Sequence, residues 1–254
     1  MYRILMFAAA ILLVGVWQAD SVSAYQEAPV TDGGTVSGKI TYKGTPPEPE
    51  HFRVVKNPEF CGEERDFYHI AVKKGVLLNA IVVIEGVEKG KPMASQTMSM
   101  VGRNCTFLPY TGAVEKKGKG RKNRPVLEVL NEDTVIHNPH PFEMIGAGRR
   151  SLWNIGLPEK GDKLSKGLRV KRGNVVKVQC DQHDFMHAWI RVTTNPYWVL
   201  VGKDGSYNID QVPPGKYTLV AWHPILGEQK KDITVGAKGT VKASFEFSGA
   251  GTGR

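Results

Sequence analysis

The segment Cys180-Asp181-Gln182-His183-Asp184-Phe185-Met186 puts a thiol, an imidazole and a thioether into seven residues, spaced C-x2-H-x2-M. The runs on either side, 174–179 and 188–192, alternate as strands do. The chain must therefore turn tightly between two strands, with three ligand-type side chains at one end of a β-structure. Thiolate and thioether are soft donors that favour Cu(I), and imidazole serves both oxidation states. A plane of two His and one Cys with a weak axial Met is an electron-transfer arrangement. A second His must come from elsewhere, and Ile136-His137-Asn138-Pro139-His140 offers His137 or His140. Zinc also suits Cys and His, but structural zinc takes four such ligands and does not recruit Met. The plain alternative is that Cys180 and Met186 are ordinary core residues.

The rest of the chain reads as β-structure. It has 254 residues with 28 Gly and 15 Pro, many short β-branched runs, and no convincing amphipathic helix beyond the first twenty or so residues. Arg3, the apolar run 5–17 and the small residues Val22-Ser23-Ala24 predict a cleaved signal peptide over 1–24. Uncleaved, the same stretch would anchor the chain to a membrane. Export to a periplasmic or extracellular location permits disulfides. Of three cysteines, the economical pairing joins Cys61 to Cys105 and leaves Cys180 for metal; the alternative keeps both as reduced core residues.

Turn signals divide the chain beyond residue 24 into three stretches. Residues 25–96 form an N-terminal β region, either its own unit or the first strands of a barrel. Residues 97–193 carry the ligand motifs, with a long, less periodic excursion at 143–169. Residues 194–248 alternate strands with turns at Asp204-Gly205 and Val212-Pro213-Pro214-Gly215, the pattern of a small antiparallel sandwich. The Gly-rich tail 249–254 is expected to be disordered.

The net charge is +9, with much of the excess in Lys116, Lys117, Lys119, Arg121, Lys122 and Arg124. Export and the lack of interleaved aromatics argue against nucleic acid. The loop is instead a docking patch for an acidic redox partner, or simply a solvated loop. No G-x-S-x-G, P-loop or H-E-x-x-H occurs, and the His-x-His pairs of multicopper oxidases are lacking. No enzyme is expected. Carboxylate pairs such as Glu63-Glu64 and Glu132-Asp133 read as solvated charge.

His137-Asn138 together with the Cys180–Met186 loop resembles the cupredoxins, the small blue copper barrels of the amicyanin and plastocyanin type, over roughly 97–193. The resemblance implies a Greek-key β-barrel or sandwich holding one type 1 copper ion on His137, Cys180, His183 and Met186. It implies that Cys180 dominates the electronic structure and that Asn138 ties the ligand loops together. His140 and His187 stand as alternative ligands or neighbours of the site. Asp204-Gly205-Ser206-Tyr207 with Val212–Tyr217 resembles the prealbumin-like regulatory domain of carboxypeptidases. The expected fold is thus all-β, a copper barrel followed by a small sandwich. The expected function is single-electron transfer between periplasmic partners. Copper delivery or sequestration with the same ligands is an alternative, as is a metal-free adhesion or carbohydrate-binding sandwich.

Overall fold

A computed structural model describes residues 24–118 and 120–249. All of the expected signal peptide but Ala24, the tail beyond Gly249 and Lys119 lie outside the described residues. The fold is all-β: among the described residues, apart from one helical turn, Pro58–Cys61, the regular elements are strands. Among the described residues, no helix is long and apolar enough to cross a membrane.

The strands form two sandwiches, each with its own buried cluster. The sandwich of the ligand motifs has a four-stranded sheet, Phe107–Leu108, Thr97–Gly102, Val126–Asn131 and Lys163–Gly167, in that order. Its second sheet runs Thr111–Glu115, His187–Thr193, Val175–Cys180, Pro139–Ile145 and Gly148–Ser151. Strands point successive side chains to opposite faces. Val176, Val178 and Cys180 therefore share the core face, and the thiol is delivered inward. The 143–169 excursion is more regular than expected, since it supplies the end of Pro139–Ile145, the hairpin strand Gly148–Ser151 and the edge strand Lys163–Gly167.

The strand His187–Thr193 is buried along its whole length. Ala188, Ile190 and Val192 enter the ligand-side core, whereas Trp189 packs into the core of the other sandwich. It is a wall shared by two interiors. Arg191 crosses it, pairing with Glu85 at 3.2 Å and Glu228 at 2.6 Å.

The second sandwich differs from the expected division of the chain. Gly34–Lys43 pairs with Ser206–Val212 and, in parallel, with Thr240–Lys242 and Phe245–Ser248. Ile81–Glu85 lies between Trp198–Leu200 and Gly215–His223. The main strands of 25–96 neither stand alone nor open the barrel; they complete the C-terminal sheets. Ile81–Ile84 is buried at four successive positions, so both faces need covering. The ligand sandwich is thus inserted between neighbouring strands of another. The Asp204-Gly205 turn is present, with Gly205 at φ +80°, but its flanking strands enter different sheets rather than one hairpin.

Two pairings join neither sandwich's sheets: Gln26–Glu27 runs parallel to Lys89–Gly90, and an excursion forms the other. Glu50–Arg53 pairs with Glu64–Phe67, and the turn Pro58–Cys61 lies between them. Its Val54 and Cys61 are buried in the ligand-side core.

Candidate metal centre

Sheet pairing brings the two motifs together. Pro139 registers opposite Cys180, which sets His137-Asn138 beside the start of the ligand loop. Asp181 N–H donates to Asn138 O at 3.1 Å, and Asn138 N–H donates to Cys180 Sγ at 3.3 Å. Within the loop, Cys180 N–H donates to Met186 O and Met186 N–H to His183 O, both at 3.1 Å. The tie expected of Asn138 is made by its backbone; its side-chain Oδ1 is buried with no partner among the described residues.

His137 follows Val126–Asn131 and is fixed by a two-way backbone bridge to Leu157. Its ring lies against Gly102, where an added Cβ would stand 2.8 Å from His137 Cδ2. His137, Cys180 and His183 each offer one ligand atom, all within 4.8 Å of one another and all buried. His183 Nδ1 is 3.7 Å from Cys180 Sγ. Met186 is buried in the same core cluster.

Asp133 decides how His137 is presented. The Nε2–H of His137 donates to Asp133 Oδ2 at 2.8 Å, and both side chains are buried. An imidazole that gives its Nε2 proton to a carboxylate leaves Nδ1 as a lone-pair donor when neutral. That Nδ1 is buried with no hydrogen-bond partner among the described residues. Asp133 is held in turn by the backbone amides of Asn104 and Cys105, each at 2.8 Å, while Asn131 Oδ1 accepts the Asp133 amide. Burial works against its charge, but the Cys105 amide, His137 and the Asn104 amide outweigh it, holding the carboxyl below its ordinary range. The sequence reading of Glu132-Asp133 as solvated charge holds for neither member fully. Asp133 is buried, and Glu132 is half-buried against Arg103.

Burial pushes the His183 pKa down to about 4, with His137 and Lys56 adding to the shift. Burial also lowers that of His137 against the opposing pull of Asp133. Both rings are therefore neutral near pH 7. Burial raises the Cys180 thiol, while the amides of Asn138, Gln182 and His183 work the other way. A neutral, buried N, S, N donor set with one unsatisfied nitrogen and a thioether in the same loop fits a soft transition metal.

The other histidines lie apart from this group. His140 is drawn into a network with Asp181, Ser151 and Asn154. His187 packs edge-on to Phe67 and stacks with His69. His69 and His51 pair with Glu50 and Asp66. His223 is buried in the other sandwich, its Nδ1 accepting the amides of Ile225 and Leu226.

The expected disulfide is present: Cys61 and Cys105 are bonded, and Cys180 is free. It sits against the candidate ligands, with Cys61 Sγ 3.6 Å from His183 Nε2. The excursion carrying Cys61 covers the ligand loop: Lys56 Nζ donates to Gln182 Oε1 at 2.9 Å, Phe52 meets Phe185, and Arg65 lies over the Phe185 ring. The basic loop is at the other end. Glu115 registers with Thr193, the far end of the strand from His187, so the loop at 116–124 begins about 20 Å from the ligands. Lys116 is tethered to Val170 O and Lys117 pairs with Glu27.

Residues 165–243, less than half of the chain, match the family model "Polysaccharide lyase family 4, domain II". That stretch takes in the ligand loop and much of the C-terminal sandwich. No curated protein matches the chain. Among solved structures, the chain is similar to the copper-containing nitrite reductase of Thermus scotoductus SA-01, at 14% identity and a TM-score of 0.29, over 49% of this chain and 25% of that one. The chain thus spans about a quarter of that relative. It is similar to a purple cupredoxin from Nitrosopumilus maritimus, at 16% identity and 0.29, over 37% of this chain and 98% of that one. Amicyanin from Paracoccus versutus matches at 11% identity and 0.30, over 44% of this chain and 97% of that one.

Proposed function

We propose that this is an exported copper protein holding one ion between His137 Nδ1, Cys180 Sγ, His183 Nδ1 and Met186, and carrying single electrons between extracytoplasmic partners. The observation that carries the reading is the ligand cluster itself, three donor atoms within 4.8 Å with His137 Nδ1 buried and unpartnered. Bound copper would supply the one-electron couple. The chain's part is to hold its donors still: sheet register fixes Cys180, the Leu157 bridge and Asp133 fix His137, and the loop's own amides fix His183 and Met186. A site that need not rearrange between oxidation states suits fast electron exchange. Burial of all four side chains favours retention over a delivery role, since release would require the loop to open.

The chain acts in this reading as a carrier, not an enzyme. Its partner docks at the ligand end, because the basic loop is too distant to pass electrons and can only steer approach through its field. We read the C-terminal sandwich as carboxypeptidase-regulatory-like on its two turn motifs, with the matched lyase domain type as the alternative.

The test is a visible absorption spectrum of the mature chain after Cu(II) addition, beside Cys180→Ala. An intense thiolate-to-copper band that bleaches on reduction and is missing in the variant is expected. No such band in the folded native chain rejects the reading.

A further inference from the structure

A second group of soft donors lies directly behind the first. Cys61 Sγ, Cys105 Sγ and a nitrogen of His183 are within 4.8 Å of one another, and all three residues are buried. His183 is shared, with Nδ1 facing Cys180 Sγ at 3.7 Å and Nε2 facing Cys61 Sγ at 3.6 Å. One imidazole thus separates a single thiol from a pair of sulfurs. As a disulfide the pair offers metal only weak donors; as a dithiol it offers two thiolates, the preferred ligands of Cu(I).

The two half-cystines are placed independently of their bond. Cys105 is held in the Arg103–Thr106 turn by its amide to Asp133 at 2.8 Å. Cys61 is buried in the ligand-side core on its helical turn, whose excursion is also fastened by Lys56 to Gln182 and by Arg65 to Asn104 O. Breaking the bond therefore leaves both sulfurs near His183. A purely structural bridge closing 44 residues would explain added stability. It would not need the free edge of a candidate ligand.

We infer that the reduced Cys61–Cys105 pair is a second soft-metal site, binding Cu(I) through two thiolates with His183 Nε2 as the third donor, and that disulfide formation closes it. Opening requires a two-electron reductant, which an external dithiol supplies. One of its thiolates attacks a sulfur of the bridge to form a mixed disulfide, and its second thiol displaces the remaining cysteine. Two electrons and two protons pass to Cys61 and Cys105, and the reductant leaves as its own disulfide. Cu(I) then displaces the two thiol protons and, where Nδ1 already holds the first ion, the remaining N–H proton of His183, which bridges the two ions as an imidazolate. The chain would accept copper from reducing surroundings and refuse the second ion once oxidised. The dithiol site stands independently of the Cys180 reading, although its adjacency to that site rests on it.

The test is Cu(I) binding to the full mature chain without oxygen, against a competing Cu(I) chelator, before and after reduction by a phosphine, with free thiols counted in each sample. Reduction is expected to raise bound Cu(I) from about one to about two per native chain, and from none to about one in Cys180→Ala. Cys61→Ser/Cys105→Ser should bind about one under either condition, with circular dichroism reporting its fold; if it does not fold, the Cys180→Ala pair of samples decides. Equal binding before and after reduction, with three free thiols confirmed, overturns the inference. Failure of the Cys180 reading looks different: the oxidised native chain then binds none, while the reduced chain still gains one.

Discussion

Asp133 is the residue on which the presentation of His137 turns. Its carboxylate accepts two backbone amides and the imidazole proton, so one side chain orients the His137 ring, selects its tautomer and raises its basicity. Asp133→Asn keeps the shape but replaces an anion with a neutral amide. We expect copper affinity to fall about 10–100-fold, more for Cu(II) than for Cu(I), so that the reduction potential rises. Chelator competition for each oxidation state, together with voltammetry, measures this; an unchanged potential would remove Asp133 from the ligand's support. The grouping of His137, Cys180 and His183 was legible because rare side chains at short spacing are locally visible. Asp133 was not, since its neighbours Glu132 and Thr134 are polar and nothing local marks one carboxylate of a pair as buried.

At the scale of elements, alternation was the reliable guide. It placed Cys180 on the inward row of Val176 and Val178, and it kept His187 out of the ligand cluster. It could not say which strands pair, because a buried run such as Ile81–Ile84 fits any central position. The covering excursion escaped notice for a related reason: Glu50–Arg53 and Glu64–Phe67 are short and half-exposed, without a clean period. The strand Gly215–His223 carries a testable detail at its end. His223 is fully buried and its ring accepts the two amides of the following turn, while burial pushes its pKa from 6.5 down to about 3. Between those values the unfolded chain binds the proton and the folded chain does not, so stability rises with pH. The contribution is complete above 6.5 and is lost as pH falls toward 3. The slope from this one group is at most about 1.4 kcal/mol per pH unit. Urea unfolding from pH 7 to pH 5 should show it in the metal-free chain together with the buried His183 and His187, and His223→Asn should remove only its own share of the slope.

The whole molecule is held together across the strand that both interiors share. Arg191 is buried between Glu85 and Glu228 of the other sandwich, so its charge is compensated only while the two units are packed. Arg191→Met leaves Glu85 and Glu228 facing an apolar wall, but both are partly exposed and both keep Lys230 at 3.3 Å, and we expect a loss of about 1 kcal/mol. Chemical unfolding should then separate into two transitions, one for each core. A single transition at unchanged midpoint would show that the packed apolar wall alone couples them. The division of the chain into consecutive units failed at this scale, because an insertion leaves no mark in composition at its ends.

Near the two ends of the described chain, inside the short pairing of Gln26–Glu27 with Lys89–Gly90, the strands Gly34–Lys43 and Phe245–Ser248 lie side by side and parallel. Tension applied to those ends pulls the first strand backward along its length and the second forward. The load is therefore borne in shear by the whole ladder at once, instead of opening it one bond at a time. That force path closes within the outer sandwich. The loop from Cys180 to Met186, spliced into its middle, is mechanically bypassed and stays unloaded until the outer sheets give way.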